Sequence, residues 1–285
     1  MLFGRHRIVS KKHRDKQKSL RVIILAVILV LLLFIILFFS WVGYGQKFKI
    51  KNIEVSGLST LSKSSVLETV ENTLNRKLFF IFPRDNTVLI SKRGIVSDIK
   101  NTFKQSSRVD VSLKDLNSIE IDIEERKPIG VWCTSRRLIT EVFVEKCYFI
   151  DSTGYVFSDA PKFSGNLFFK YYGGNTNESP VGSRYLPEKV FRERAFFIAS
   201  IPNLGINPIS YKWGENGDST IVVAPQNEKG LDGKIIFNND DELGAVYDYI
   251  SSALLHEDFK YLDQRIIKFE YIDLRSGNKI FYKMD

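Results

Sequence analysis

Histidine and cysteine are scarce in this chain of 285 residues, with three and two copies respectively. Serine and cysteine nucleophiles usually need a nearby base, most often histidine. His6 and His13 belong to a basic amino-terminal tail, and His256 follows a predicted helix, where it suits the helix dipole better than catalysis. A structural zinc site needs about four ligands. We therefore expect neither a histidine-dependent nucleophile nor a zinc module.

Phosphate-binding glycine loops and convergent acid pairs are also missing from the sequence. The stretch "YYGGN", residues 171–175, lacks the Walker spacing and a strand-to-helix setting, and it is typical of a turn. Glu124 and Glu125 are adjacent in a predicted strand, so they point to opposite faces and cannot act as paired acids. We predict no enzymatic activity, no cofactor, no metal and no small-molecule substrate.

Positive charge is concentrated at the amino terminus. The first 21 residues contain eight basic side chains, Arg5, Arg7, Lys11, Lys12, Arg14, Lys16, Lys18 and Arg21. Only Asp15 opposes them, so this tail carries +7 (eight minus one) of the formal net charge of +8. Because the remaining chain is nearly neutral, we do not expect a nucleic-acid partner.

A long apolar run follows the basic tail. Residues 22–39, "VIILAVILVLLLFIILFF", contain no charged or polar side chain and would cover roughly 27 Å as a helix, close to the thickness of a bilayer core. The alternative, a cleaved signal peptide, has a shorter apolar region and a small-x-small cleavage site. Trp41 and Tyr44 suit the membrane interface. We predict an uncleaved signal anchor at 22–44, with the tail 1–21 in the cytoplasm and the remainder outside it.

Two folded segments are predicted after the anchor. In the first, residues 48–127, strands are expected near 50–58, 109–113 and 119–123, and helices near 65–75 and 95–103. Their order is β-α-α-β-β. Ser65 and Glu68 have the spacing of a capping box at the first helix.

The second segment, residues 128–285, is predicted to be a mixed sheet with two helices. Paired strands are expected at 219–225 and 233–237, and closing strands at 266–274 and 279–283. Helices are expected at 187–201, bounded by Pro202, and at 240–255, with acids in its first turn. Residues 162–187 give no pattern that we can interpret. The fold class is therefore α+β, preceded by a single transmembrane helix.

The stretch "IEERKPIGVW", residues 123–132, indicates the junction between the two segments. Strand alternation makes Ile123 a core residue and turns Glu124 outward. Pro128 cannot donate to a strand ladder, so the strand ends before it. Trp132 is predicted to be a core residue in the first strand of the second domain.

The two cysteines, Cys133 and Cys147, flank a predicted hairpin and are symmetric about Thr140. Residues equidistant from a hairpin centre can face each other, and disulfides persist outside the cytoplasm. We predict a disulfide between them. The alternative is two reduced cysteines that act as small apolar residues.

Four stretches, in this order after an anchor, resemble the FtsQ/DivIB family of bacterial division proteins. They are "IEVSGL", "IDIEERKPIGVW", "FIDSTGYVF" and "YIDLRSGNKIFYK". The third contains Asp151 and Gly154, and the fourth contains Asp273, Leu274 and Arg275 at the positions of the family's terminal hairpin. The resemblance extends over most of residues 20–285 and rests on the order of the motifs and elements.

The resemblance implies a POTRA domain at 48–127, an extracytoplasmic β domain at 128–285 and a septal scaffold that coordinates cell-wall synthesis. It also implies contact with an FtsB/FtsL-like coiled-coil complex through the terminal hairpin. The implied partner-binding residues are Arg275, Lys279, Ile280, Phe281, Tyr282 and Lys283. Alternation in "FEYIDLR" predicts Phe269, Tyr271 and Asp273 on one face.

Other interpretations of the sequence stay open. The terminal hairpin could instead only complete the core. The whole protein could be a POTRA-bearing envelope transport or assembly component, because POTRA sheets can bind segments by adding a strand. A membrane-anchored cell-wall hydrolase is a further alternative.

Overall fold

A computed structural model describes residues 11–43, 46–78, 82–137, 143–163, 165, 167–174, 179–224, 232–256, 269–277 and 279–284. The chain divides into two compact units, Met1–Glu125 and Arg126–Asp285. The observed boundary, after Glu125, comes two residues before the boundary expected after residue 127. The predictions for tail residues 1–10, Tyr44, Thr140, residues 266–268 and Asn278 fall outside the described residues.

The first element is a helix, α1, Lys11–Gly43. Its segment Ser19–Phe38 has a mean hydropathy of 3.4, and none of that segment is buried. With 20 residues the segment is about 30 Å long as a helix, which matches a bilayer core. Within the described part of the chain, one helix is thus long and apolar enough to span a membrane.

The rest of the first unit is a small α+β fold. Its elements are β1 Asn52–Ser56, α2 Lys63–Leu74, β2 Lys77–Leu78, β3 Phe82–Pro83, α3 Lys92–Thr102, β4 Ser106–Leu113 and β5 Ser118–Glu125. The main sheet has the order β1-β5-β4, with β1 parallel and β4 antiparallel to β5. Every second residue of β5, from Ile119 to Ile123, is fully buried. These residues pack with Val66, Val70, Ile95 and Ile99 from the two helices.

The capping box predicted from Ser65 and Glu68 is wrong. Helix α2 begins earlier, at Lys63, and Ser62 is its N-cap residue without a side-chain capping bond. Contacts that are distant in sequence, rather than the local pattern, order the segment before this helix. The amides of the preceding loop are satisfied by Glu125, which lies at the end of β5 and far away in sequence.

In its described residues the second unit contains a nine-stranded mixed sheet and two α-helices. Its elements are β6 Gly130–Arg137, β7 Phe143–Ile150, β8 Val156–Asp159, β9 Lys170–Gly173, α4 Glu188–Ser200, β10 Pro208–Trp213, β11 Asp218–Val223, β12 Gly233–Asn238, α5 Leu243–Leu254, β13 Tyr271–Ser276 and β14 Lys279–Lys283. The strand order is β14-β13-β12-β11-β10-β9-β6-β7-β8. The predicted fold class, α+β with one apolar helix and a large mixed sheet, is confirmed at this level.

One face of the large sheet forms the core with the two helices. Trp132 and Tyr211 from the strands pack there with Phe191 of α4 and Ile250 of α5. The predicted burial of Trp132 is confirmed, at 1% exposure, and its Nε1 donates to the carbonyl of Gly173 at 2.9 Å. The acids predicted in the first turn of α5 instead precede it, because that helix begins at Leu243.

Candidate partner-binding edge

The terminal hairpin lies at one end of the nine-stranded sheet. Among the residues that the structure describes, strand β14 pairs with β13 only, in antiparallel register from Tyr271 opposite Lys283 to Ser276 opposite Lys279. The register shifts between Asp273 and Ser276, so the ladder is irregular near the turn. An edge strand presents backbone N–H and C=O groups on its outer side and is a template for an added strand. The last strand therefore lies at an edge of the sheet, as far as the structure describes the chain.

The side chains of β14 alternate between the core and the opposite face. Ile280 and Tyr282 are half-buried and pack against the core of the second unit. Lys279, Phe281 and Lys283 lie on the other side and are exposed. Phe281 is 51% exposed, which is unusual for an aromatic side chain in the middle of a strand. Of the three apolar residues, Phe281 alone presents its side chain away from the core.

Phe269 does not lie on the predicted face with Tyr271 and Asp273. Strand β13 begins at Tyr271, and Phe269 is only 4% exposed and belongs to the core. The alternation cannot be extended backward past the start of the strand, because residues before it do not follow the pleat. The alternation within β13 is confirmed, with Ile272 and Leu274 buried.

Arg275 lies among carboxylates of its own unit. Its Nε donates to Asp273 Oδ1 at 2.9 Å and its Nη2 donates to Asp273 Oδ2 at 2.6 Å, while Nη1 lies 3.4 Å from Asp218 Oδ2. These hydrogen bonds lower the pKa of Asp273 and raise that of Arg275. The Arg275 side chain as a whole is 44% exposed.

The open end of the hairpin, opposite its turn, has two further contacts. Lys283 forms an ion pair with Glu270, just before β13. The hydroxyl of Tyr282 lies 3.4 Å from Nδ1 of His256, which follows α5. His256 therefore contacts the candidate edge from the segment that follows α5.

The cysteine pair lies on β6 and β7, near the opposite end of the strand order from β14. Cys133 on β6 is directly opposite Cys147 on β7, and their sulfur atoms are at disulfide distance, 2.05 Å. Glu145, two residues before Cys147, accepts hydrogen bonds from Tyr172 at 2.7 Å and Lys170 at 3.2 Å. Burial raises the pKa of Glu145, but these two bonds outweigh it and the net pKa is lowered.

A surface pocket of about 520 Å³ adjoins the cysteine pair. Its lining includes Cys147, Glu145, Lys162 and two aromatic residues, Phe163 and Phe168. The ring centroids of Phe163 and Phe168 are 5.0 Å apart. The pocket thus gives solvent access to one of the two cysteines.

The adjacent glutamates of the junction do not converge. Glu124 is exposed, whereas Glu125 accepts hydrogen bonds from the backbone amides of Ser59, Thr60 and Leu61. Sequence reasoning did not find this role for Glu125, because its partners lie more than 60 residues away. Nothing in the local pattern distinguishes it from an exposed strand-end charge.

A comparison of the chain with protein-family models finds no match, and a search among curated proteins also finds none.

Proposed function

We propose that this protein is a single-pass membrane scaffold of the bacterial division machinery. Its amino terminus is cytoplasmic, and both folded units are extracytoplasmic and act at the septum. The observation that carries the proposal is the edge strand β14, in which the exposed Phe281 lies between Lys279 and Lys283. An edge of this kind fits partner binding by strand addition, with backbone hydrogen bonds for affinity and a side chain for specificity.

Two further features support this function. The small sheet of the first unit, with the order β1-β5-β4 and two helices on its core, fits a POTRA domain. Helix α1 fits a membrane anchor, and the basic residues on the amino-terminal side of its apolar segment favour a cytoplasmic amino terminus. The proposed partners are division proteins that form an FtsB/FtsL-like coiled coil.

Phe281→Glu is the variant that tests the edge. A charge on an exposed side chain leaves the core intact, but it opposes an apolar contact by a partner. Full-length tagged protein is purified from its host, and the coiled-coil division proteins that accompany it are quantified by mass spectrometry. We expect their recovery to fall at least about tenfold, the effect of losing roughly 1.4 kcal/mol of binding energy.

Phe196→Glu is the matched control, because Phe196 is also an exposed phenylalanine of the second unit, 80% accessible, but lies on α4. Recovery should be unchanged in this variant. Equal recovery from both variants, each folded by circular dichroism and present in the membrane, would falsify partner binding at β14.

Localisation and topology are tested separately. A fluorescent protein fused to the amino terminus should concentrate at division sites, whereas an envelope transport component should be distributed along the cell surface. Protease added to spheroplasts should digest both folded units. Protection of those units from protease would contradict the proposed orientation.

A further inference from the structure

The two cysteines and Glu145 form a compact set of possible metal ligands. Among the residues that the structure describes, this is the one group of three in which the ligand atoms come within 4.8 Å of one another. In the oxidised protein both sulfur atoms are used by the bridge. A thiophilic cation can therefore bind here only after the disulfide has been reduced.

The strand ladder holds the two cysteines in a geometry that suits a metal. Cys133 and Cys147 are directly cross-strand, with their Cα atoms 4.1 Å apart, and β6 and β7 pair along eight residues each. This pairing keeps the two side chains together when the sulfur–sulfur bond is opened. Tetrahedral zinc with bonds of about 2.3 Å places two thiolates roughly 3.8 Å apart. Small side-chain rotations therefore suffice to accommodate the ion.

Glu145 is prepared as the third ligand. Its carboxylate already accepts hydrogen bonds from the Tyr172 hydroxyl at 2.7 Å and the Lys170 amine at 3.2 Å, which hold it beside the two sulfur atoms. It is 40% exposed and can exchange Lys170 for a cation without unfolding the strand. A water molecule from the adjoining pocket can supply the fourth position.

We propose that Cys133, Cys147 and Glu145 bind one thiophilic divalent cation of the zinc class in the reduced protein. The cation takes over from the disulfide as the clamp between β6 and β7. A site of two thiolates and one carboxylate is soft enough to favour zinc or cadmium over magnesium or calcium.

The reduction requires two equivalents of a low-molecular-weight thiol. The first thiolate attacks the sulfur of Cys147, because that residue lines the pocket while Cys133 is only 1% exposed. The bond between the two protein sulfurs breaks, Cys133 leaves as a thiolate and takes up a proton, and a mixed disulfide forms at Cys147. A second thiol releases Cys147 as a thiol and leaves as the low-molecular-weight disulfide. Cation binding then displaces the two thiol protons to solvent.

The test uses the full chain in detergent micelles, prepared either oxidised or reduced with a phosphine and freed of reductant without oxygen. Each sample is titrated with cadmium, and thiolate coordination is followed by its ultraviolet charge-transfer band. Zinc affinity is measured by competition with a chromophoric chelator. We expect one ion per reduced chain and none at this site in the oxidised chain. Equal binding by both samples, or no thiolate band in the reduced chain, would overturn the proposal.

Glu145→Gln separates a three-ligand site from a simple pair of thiols. We expect it to weaken zinc binding by at least about tenfold, since even loss of a partner outside the ligand shell costs about that much. Glu270→Gln is the matched control, because Glu270 is a similarly exposed, lysine-paired carboxylate of the same unit. Equal affinities of these two variants would remove Glu145 from the site.

Cysteine alkylation provides a readout that needs no variant. In the reduced wild-type chain, zinc should slow modification of Cys133 and Cys147 together, and a chelator should restore it. Alkylation rates that do not respond to zinc would exclude coordination by these two residues. This experiment also remains decisive if serine variants of the cysteines fail to fold.

Discussion

The guanidinium of Arg126 donates to the carboxylate of Asp151, and it also lies 4.2 Å from the centre of the Tyr155 ring. The same carboxylate accepts from the backbone amides of Thr153 at 2.8 Å and Tyr155 at 3.0 Å, so it closes the turn between β7 and β8. Asp151 is 8% and Arg126 19% exposed at the side chain. Arg126 thus ties the first residue of the second unit to a tight turn.

Replacing Asp151 with asparagine should destabilise the second unit by about 3 kcal/mol. Removing one partner of a largely buried ion pair leaves the other charge poorly compensated. Urea unfolding can be followed by the fluorescence of Trp132 and Trp213, which both belong to this unit. Glu188→Gln, in an exposed pair with Arg192 on α4, should cost less than about 1 kcal/mol. Equal losses in the two variants would show that burial of the Asp151 pair has no energetic consequence.

Glu125→Gln should destabilise the first unit by about 1 kcal/mol. The Glu125 carboxylate accepts hydrogen bonds from three consecutive amides, those of Ser59, Thr60 and Leu61, and from the Thr60 hydroxyl. A neutral amide can accept fewer and weaker bonds from them. Hydrogen exchange at neutral pH should be faster at residues 59–61 in the variant. Unchanged protection there would contradict this role.

The contribution of Glu125 should also depend on pH. Burial raises its pKa, but the hydrogen bonds from Thr60, Ser59 and Leu61 outweigh burial and lower it below 4.5. Because the folded pKa is the lower one, this stabilisation is complete above pH 4.5 and is lost as the pH falls through the folded pKa. Calorimetry should find the stabilities of wild type and Glu125→Gln furthest apart near neutral pH and converging as the pH falls through the folded pKa of Glu125. A constant difference over this range would refute the charge-based explanation.

Local patterns predicted the first unit better than the centre of the second. In β5 the alternation from Ile119 to Ile123 is complete, so one buried face could be deduced from the sequence. Strand β9 was missed because "KYYG" has only four residues and pairs in parallel with β6 and β10, which are distant in sequence. Strand β10 was missed because it begins with Pro208. Long-range pairing, rather than local preference, determines both strands.

The same limit applies to the candidate site. The terminal hairpin could be placed from the alternation in "FEYIDLR" and from the closing strand expected at 279–283. The contacts of Arg275 with Asp218 and of Tyr282 with His256 depend on the order of strands in the sheet. Local sequence patterns identify the residues of the hairpin but do not reveal which residues of other strands and helices will contact them.

Gly173→Ala should destabilise the second unit by about 3 kcal/mol or more. Gly173 has a φ of 74°, and a Cβ atom there would lie 2.0 Å from the carbonyl oxygen of Trp213. Gly217 is the control, because its φ of 84° is similar but no atom lies within 4 Å of the added Cβ. Gly217→Ala should therefore cost only the backbone strain, about 1–2 kcal/mol. Equal midpoints of urea unfolding for the two variants would rule out a steric contribution from Trp213.

Reduction of the Cys133–Cys147 pair should lower the stability of the second unit by about 3 kcal/mol. In the chain-entropy model a bridge that closes a loop of about 15 residues removes that much freedom from the unfolded chain, and the two cysteines are 14 apart. Urea unfolding of wild type is compared with and without a phosphine reductant in the presence of a metal chelator. Cys133→Ser/Cys147→Ser should match the reduced wild type and should not respond to the reductant.

Protein taken from its host should also resist alkylation of both cysteines until it is reduced. Two freely alkylated cysteines in unreduced protein, together with no effect of reductant on the unfolding midpoint, would show that the cysteines act as small apolar residues.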